Sequence, residues 1–507
     1  MADIVLTTLN AKFAHASFGL RYLMSNLGDL ASQTKIAEYT IDQRPLEILE
    51  DILSHSPKIV GIGVYIWNVT PAEQLVALIK TLRPEITVVL GGPEVSYETE
   101  RQSITQRADY VITGEADHAF RKLCEELLNG DHPTPKIIKA ELPTADSLTL
   151  PYHLYDETDV ANRVIYVEAS RGCPFKCEFC LSSLDIPVRA FDLDKFLDAI
   201  QDLFDRGVRQ FKFVDRTFNL NLKFSTRILQ FFLDRYEPGL FVHFEMIPDR
   251  LPDALRQIIK QFPPESLQFE VGIQTFSESV AELISRRQDN AKAEENIRFL
   301  RSQTNVHIHA DLIVGLPGED LQSFAAGFDR MIQAAPHEIQ VGMLKRLRGT
   351  PIIRHDETWG MTYSPNAPYE VLQTKLIDFQ NMSQMRRFAR FWDLVANSGN
   401  FVRTTPLIWH DAQSPFAEFY RVSEWIFQQA GRVHGISLTR LVEFLFIYLT
   451  EVRNLEPKFV ATTIWADYLS GGRNDRPRIL RDYLPESPKR RDTSSKTTPK
   501  RQARHNA

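Results

Sequence analysis

Residues 1–350 switch again and again between strand and helix periodicity, and that alternation limits the fold more than any single motif does. In residues 1–140 the runs DIVLTTL, KIAEYTI, IVGIGVYIW, ITVVLGG and ADYVITG are strand-like, and SFGLRYLMSNLGDL, PLEILEDILSH, PAEQLVALIKTLRP and HAFRKLCEELLNG carry helical spacing between them. Parallel neighbours need a crossover helix, so this order predicts a doubly wound, Rossmann-like α/β domain. A Pro-containing linker over 141–160 leads to a second series over 161–351. Its strand candidates are RVIYVEAS, QFKFVD, FVHFEMI, LQFEVGI, VHIHADLIVG and EIQVGMLK. Six β/α units are too few to close an eight-unit barrel, so a partial (β/α)6 barrel, open on one side, is expected.

From 360 to 484 the strand signal fades and amphipathic helices take over, as in VLQTKLIDFQNMSQMRRFARFWDLVAN. Five of the six tryptophans lie after residue 350, so this mostly helical C-terminal domain is expected to have its own core or to cover the barrel mouth. The last segment, 485–507, is basic: from Ser487 on it has seven Lys or Arg against one acid and almost no apolar residues, and is expected to be disordered. The N-terminus lacks a basic region followed by an apolar run, and LVEFLFIYLTEV is too short to cross a bilayer and is broken by Glu443, so no membrane span is expected. A net charge of -6 gives no reason to expect a nucleic-acid partner. Four cysteines in 507 residues do not make a disulfide framework, and a reducing cytoplasmic setting fits them.

Three of those four, Cys173, Cys177 and Cys180, fall within eight positions at the spacing C-x-x-x-C-x-x-C, directly after the strand candidate VIYVEA. Ligands gather at loops leaving the carboxyl ends of strands in α/β layers, and this is such a loop. Structural zinc needs four ligands; Cys124 lies in a helical pattern of another domain and the loop holds no His. A dithiol redox pair would use Cys177 and Cys180 and leave Cys173 unexplained. An iron-sulfur cubane held by three thiolates would keep one iron open for another ligand.

CPFKCEFC, with Phe179 just before the last cysteine, resembles the signature of the radical S-adenosylmethionine (radical SAM) enzymes. The resemblance implies a [4Fe-4S] cluster on Cys173, Cys177 and Cys180, with the open iron chelated by S-adenosylmethionine. It further implies one-electron cleavage to methionine and a 5'-deoxyadenosyl radical, with an electron donor such as flavodoxin or ferredoxin. By the same resemblance Phe179 belongs to the S-adenosylmethionine site, and Asp215 in FVDRTFN would hold the amino group. Glu245 in FEMIPDRL, and Glu270 and Gln274 in FEVGIQT, are similar to strand-end residues that contact the ribose and methionine. In DLIVGLPGED, Gly315 would let backbone approach the adenosyl group.

Residues 1–140 resemble the cobalamin-binding domain that precedes the barrel in one branch of this family, the layout of the anaerobic magnesium-protoporphyrin IX monomethyl ester cyclase. The likeness runs through NAKFAHASFGL, GIGVYIWN, VVLGGPEVS and DYVITGEAD. It implies a corrinoid contacted by His15, Gly63, Tyr65, Gly91, Gly92 and Gly114. The D-x-H-x-x-G motif of better-known cobalamin proteins is missing, since His15 has no Asp two residues earlier. Methylthio-transferring relatives carry three further N-terminal cysteines, where this chain has only Cys124. The expected function is a cobalamin-associated radical SAM enzyme acting on a carbon centre of a small-molecule substrate, by methyl transfer or by oxidative or cyclising chemistry. The alternative is a corrinoid or redox sensor with a non-catalytic barrel. No catalytic side chain is assigned, and the substrate is not readable.

Overall fold

Seven consecutive buried residues, IVLTTLN, form β1 (Ile4–Asn10), a strand covered on both faces as a central parallel strand must be. It lies in a six-stranded parallel sheet with β2 (Thr34–Thr40), β3 (Ile59–Gly63), β4 (Thr87–Gly91), β5 (Tyr110–Thr113) and β6 (Ile137–Lys139), in the order β2-β1-β3-β4-β5-β6. The coordinates are a computed structural model that describes residues 2–185, 187–484 and 501–505. The chain divides into two units, the first being Met1–Glu245 with Lys345–Arg354 and Tyr363–Glu370, and the second Met246–Leu344 with His355–Thr362 and Val371–Ala507.

Alternate residues of the first sheet feed two apolar cores. Val5, Leu9, Val60, Ile62, Val88 and Leu90 pack with Ile48, Leu49 and Ile52 of helix Pro45–Ser54 and Leu75, Val76 and Ile79 of helix Val69–Leu82. Ile4, Leu6, Ile59, Val89 and Ile112 pack with Leu20 of helix Phe18–Ser25 and Phe120, Leu123 and Cys124 of helix Asp117–Leu128. This is the doubly wound arrangement that the alternation implies. The pattern gave no sign of β6, a three-residue edge strand with two exposed positions.

The linker over 141–160 carries packed side chains. Tyr152 and Tyr155 are buried, and helix Glu157–Asn162 starts on a capping box made by Asp156 and Asp159. Asp159 and Glu38 then share two arginines. Arg21 reaches them at 2.6 and 2.9 Å, and Arg163 at 3.2 and 2.8 Å. Breaking such a buried set by removing one member costs about 3–5 kcal/mol, because it strands a charge.

The first unit continues with β7 (Ile165–Val167), a short antiparallel ribbon of β8 (Ser170–Arg171) and β9 (Arg189–Ala190), then β10 (Gln210–Phe213) and β11 (Phe241–Met246). β10 lies parallel between β7 and β11, and Phe196, Phe211, Phe213, Phe232 and Phe244 fill the space behind them. The two returning segments bring Arg346, Arg348 and Tyr369 to the loop after β4. There Arg348 Nε and the Tyr369 hydroxyl donate to the buried Glu94 at 2.8 and 2.6 Å, and Arg346 and Arg348 pair with Glu98.

In the second unit β12 (Leu267–Gln274), β13 (His307–Val314) and β14 (Glu338–Met343) are parallel neighbours in chain order, with helices Asn290–Gln303 and Leu321–Ala334 between them. Together with β7, β10 and β11 they make the six β/α strands read from the sequence. The C-terminal helices share apolar packing with the barrel series: Phe388 and Trp392 of helix Phe379–Val395 and Phe416 of helix Pro415–Ala430 set their rings edge-to-face with Phe328 of helix Leu321–Ala334. Of the basic tail, 485–500 and 506–507 lie outside the described residues. Residues Arg501–His505 form a helix whose Arg501 pairs with Glu338 and Asp393 at 2.7 and 2.9 Å. Among the described residues no helix is long and apolar enough to cross a membrane.

Candidate active site

The three cysteines sit on a loop that the β8·β9 ribbon closes, with Ser170 opposite Ala190 and Arg171 opposite Arg189. Gly172 opens the loop in the left-handed region at φ +91. A Cβ there would stand 2.8 and 2.9 Å from the carbonyl oxygens of Pro187 and Asp185, so only glycine fits. The Cys173 amide donates to that Asp185 carbonyl at 3.0 Å, and the Cys180 amide to the Cys177 carbonyl at 3.1 Å. Cys173 and Cys177 are buried and Cys180 is half-buried. The Cys173 thiol is pushed up by burial and then by the neighbouring Cys180 and Cys177, against a backbone hydrogen bond from Phe175 and the charge of Arg216.

Among the described residues no three His, Cys, Asp or Glu side chains converge as they would on one metal ion. A cubane asks for something else, one thiolate on each of three irons, and a single loop of spaced thiols suits that demand. Cys124, in contrast, is fully buried in the core behind the first sheet, its thiol pushed up to about 12 by burial.

Asp215 follows β10 and is buried beside the start of this loop. Its Oδ2 accepts the Ala169 amide at 3.0 Å and its Oδ1 the Ser170 hydroxyl at 2.6 Å. Burial outweighs those two hydrogen bonds and pushes its carboxyl up to about 7. Glu245 lies in β11 and pairs with Arg216 at 2.7 Å. Phe179 is half-buried next to Cys180.

In the second unit, Gln274 ends β12 with φ +71, uncommon for a residue with a side chain. The kink is held by its neighbours. Gln288 donates to the carbonyls of Ile273 and Thr275, Arg286 donates to that of Gly272, and the Thr275 hydroxyl donates to buried Glu319 at 2.6 Å. Glu270 is not at a strand end. It stands in the middle of β12 opposite His309, because the strand runs on to Gln274. Gly315 follows β13 at φ +88, but a Cβ there would meet Val371 Cγ1 at 2.7 Å and Met382 Cε at 3.2 Å. A side chain at this position would therefore clash with packed neighbours.

A cavity of about 270 Å³ lies at the carboxyl ends of β3, β4 and β5 beside helix Phe18–Ser25. Gly63, Tyr65, Gly91, Gly92 and Gly114 all line it, so five of the six residues expected at a corrinoid meet in one place. Gly92, at φ +105, is tight against the chain: a Cβ would stand 2.5 Å from the Val64 carbonyl. The volume falls just short of the ~300–1,000 Å³ of sites that enclose drug-sized ligands. His15, the sixth residue, is not in the lining. Its Nδ1 is 2.7 Å from the Tyr166 hydroxyl and its backbone bridges to Val164. Burial, then Lys212 and Lys12, lower its pKa.

Several residues that join these two places were not singled out from the sequence. Arg171 and Glu115 both line the cavity, and Arg171 is also the last residue of β8. Arg171 donates to Glu168 and Glu115 at 2.8 Å each and to Asp117 at 3.1 Å, while Arg189 pairs with Glu115 and with Asp185. ASRGC and TGEAD carried the signal, in that each places a charged residue beside a glycine at a strand end.

Residues 167–330 match the radical SAM superfamily, 4–124 the B12-binding domain, and 357–506 a family described as a protein of unknown function, DUF4080. An uncharacterized methyltransferase of Pyrococcus horikoshii, PH0819, is 25% identical over 339 residues, covering 61% of this chain and 71% of that protein. The cobalamin-dependent radical SAM methyltransferase TokK of Streptomyces tokunonensis is 23% identical over 440 residues, covering 78% of this chain and 62% of its own. Among solved structures, the cobalamin-dependent S-adenosylmethionine radical enzyme OxsB with aqua-cobalamin and S-adenosylmethionine bound superposes with a TM-score of 0.61 at 12% identity, covering 94% of this chain and 80% of that one. That likeness is one of fold.

Proposed function

We propose that this chain, a radical SAM enzyme with a B12-binding domain ahead of the barrel, transfers a methyl group to a carbon centre of a small-molecule substrate. Methyl transfer is preferred over oxidative or cyclising chemistry because PH0819 and TokK are named methyltransferases, and for the same reason turnover is preferred over sensing. One observation carries the reading. The cysteine loop and the glycine-lined cavity belong to one unit of the fold, and Arg171, two residues before Cys173, lines that cavity.

When bound, the cluster with S-adenosylmethionine supplies one-electron cleavage of a sulfonium, and cobalamin supplies a transferable methyl group. Cys173, Cys177 and Cys180 would hold the cluster, on a loop whose tight entry at Gly172 fixes where Cys173 starts. Asp215 has one lone pair on each oxygen already engaged by Ala169 and Ser170, which orients the carboxylate and leaves its other lone pairs for a cationic amino group. Gly63, Gly91, Gly92 and Gly114 present bare backbone to the cavity, so a flat amide-bearing ring could approach the strand ends closely. Phe179, Glu245 and Gln274 are assigned to the S-adenosylmethionine site as the sequence resemblance has them. A flavodoxin or ferredoxin supplies the electron, and three reduced thiols suit a cytoplasmic setting.

The test is anaerobic reconstitution with iron, sulfide and hydroxocobalamin, followed by reduction with S-adenosylmethionine and mass analysis of products from a cell extract. Iron and sulfide near four per chain, retained cobalamin and release of 5'-deoxyadenosine or S-adenosylhomocysteine are expected. A chain that keeps no cluster would overturn the proposal.

A further inference from the structure

Two arginines face each other across the ribbon that closes the cysteine loop. β8 and β9 contribute only two residues each, and their second pair is Arg171 opposite Arg189. A ribbon that short is not stable by itself, and like charges directly opposite each other push strands apart. The ribbon is nevertheless formed, because a carboxylate from the first sheet stands between the two cations.

That carboxylate is Glu115, in the turn between β5 and helix Asp117–Leu128. Its Oε2 accepts from Arg171 Nη1 at 2.8 Å and from Arg189 Nη1 at 3.2 Å, and its Oε1 accepts from Arg189 Nη2. Other acids help. Glu168 and Asp117 also hold Arg171, and Asp185 also holds Arg189. Among the described residues, however, Glu115 is the one that reaches both arginines. Burial alone would raise its carboxyl, but Arg189 and Arg171 more than reverse this and keep it ionised. From Arg189 the chain of contacts runs on through Asp185, whose carbonyl takes the Cys173 amide. Glu115 also lines the 270 Å³ cavity, together with Asp117, Glu168 and Arg171.

We propose that Glu115 is a positioning residue that belongs to both cofactor sites, closing the cysteine loop from the wall of the corrinoid cavity, so that cavity occupancy and cluster assembly are coupled. The coupling rests on the reading of the cavity as the cobalamin site; the closing of the loop does not. Linkage makes the effect reciprocal: if the cluster changes the affinity for cobalamin by some factor, cobalamin changes the stability of the cluster by the same factor.

The experiment uses the full chain and Glu115→Ala, Glu115→Gln and Glu115→Ala/Arg189→Gln variants. In cofactor-free protein, alkylation of each cysteine by iodoacetamide is followed by peptide mass. Glu115→Ala is expected to speed modification of Cys173, Cys177 and Cys180 by about tenfold, the equivalent of about 1.4 kcal/mol of loop opening, and to leave buried Cys124 unmodified. The double variant, which removes one of the facing charges, should recover much of the protection, a rescue that a general loss of stability would not show. Glu115→Gln, which keeps the shape without the charge, should fall between. Unchanged alkylation in Glu115→Ala, or exposure of Cys124 with no rescue, would overturn the loop-closing role.

Hydroxocobalamin affinity is then measured by absorbance with and without the reconstituted cluster. Wild type should show a several-fold difference that falls to about one in Glu115→Ala. Binding to wild type with no dependence on the cluster overturns the coupling alone. No binding to wild type in either state overturns the coupling together with the cobalamin reading.

Discussion

His15 Nδ1 lies 2.7 Å from the hydroxyl of Tyr166 in β7, so the N-terminal histidine that could have served as a cobalt ligand is engaged by the first strand of the barrel series. His15→Ala is therefore expected to leave the absorption spectrum and retention of bound cobalamin unchanged. It should cost about 1 kcal/mol of stability through the lost hydrogen bond, read from the denaturant midpoint. A shifted cobalamin spectrum in the variant would reinstate His15 as a ligand.

Replacing Cys173, Cys177 or Cys180 singly with alanine should each abolish retention of iron and sulfide after reconstitution. Cys124→Ala should retain both, because Cys124 is part of the helix core behind the first sheet and its thiol is held protonated. Iron analysis and visible absorbance of the four variants decide it.

Gly172→Ala should prevent cluster assembly while leaving most of the fold intact. The new methyl group must displace two backbone carbonyls, and a left-handed alanine adds to the strain, together on the order of 1–3 kcal/mol. Gly92→Ala, with its Cβ against the Val64 carbonyl, should damage cobalamin retention by the same kind of displacement and spare the cluster. Measuring both cofactors on both variants separates the two sites.

Asp215 and Glu319 are buried carboxyls, each pushed up to about 7, mainly by burial. A carboxyl raised in the native state binds more protons there than in the unfolded chain, so its contribution to stability is full below about pH 4 and is lost as pH rises through about 7. In cofactor-free protein, Asp215→Asn and Glu319→Gln should therefore gain stability relative to wild type at pH 8 and show less of that gain at pH 5. Melting temperatures of the three proteins at both pH values test the sign. The Asp215 variant should in addition bind S-adenosylmethionine about tenfold or more weakly, having lost one charge-assisted contact.

The alternation of strand and helix was legible because each period reflects burial, and burial is what these elements satisfy: β1 is buried throughout and the helices beside it are amphipathic. The cysteines were legible by spacing, and the cavity glycines through the resemblance carried by GIGVYIWN, VVLGGPEVS and DYVITGEAD. What could not be read was partnership. Glu115 and Arg171 are 56 residues apart in sequence, and nothing local distinguishes a carboxylate that bridges two arginines from one that faces water. β6 was missed because a short edge strand with exposed side chains leaves no pattern. The neighbours of Gly315 were not readable either, because Val371 and Met382 lie far along the chain.

The first unit is not finished when its continuous stretch ends at Glu245. Glu94 is separated from Arg348 by 254 residues, and the loop it belongs to borders the cavity. On the ribosome this acid is made long before its cation, and until then it must stay hydrated or be held by something else. The surroundings that Glu94 has in the folded protein are therefore complete only once Tyr369 has emerged. An expression fragment cut at residue 245 would carry the glycines of that pocket and all three loop cysteines, yet would lack the cations that let Glu94 remain buried.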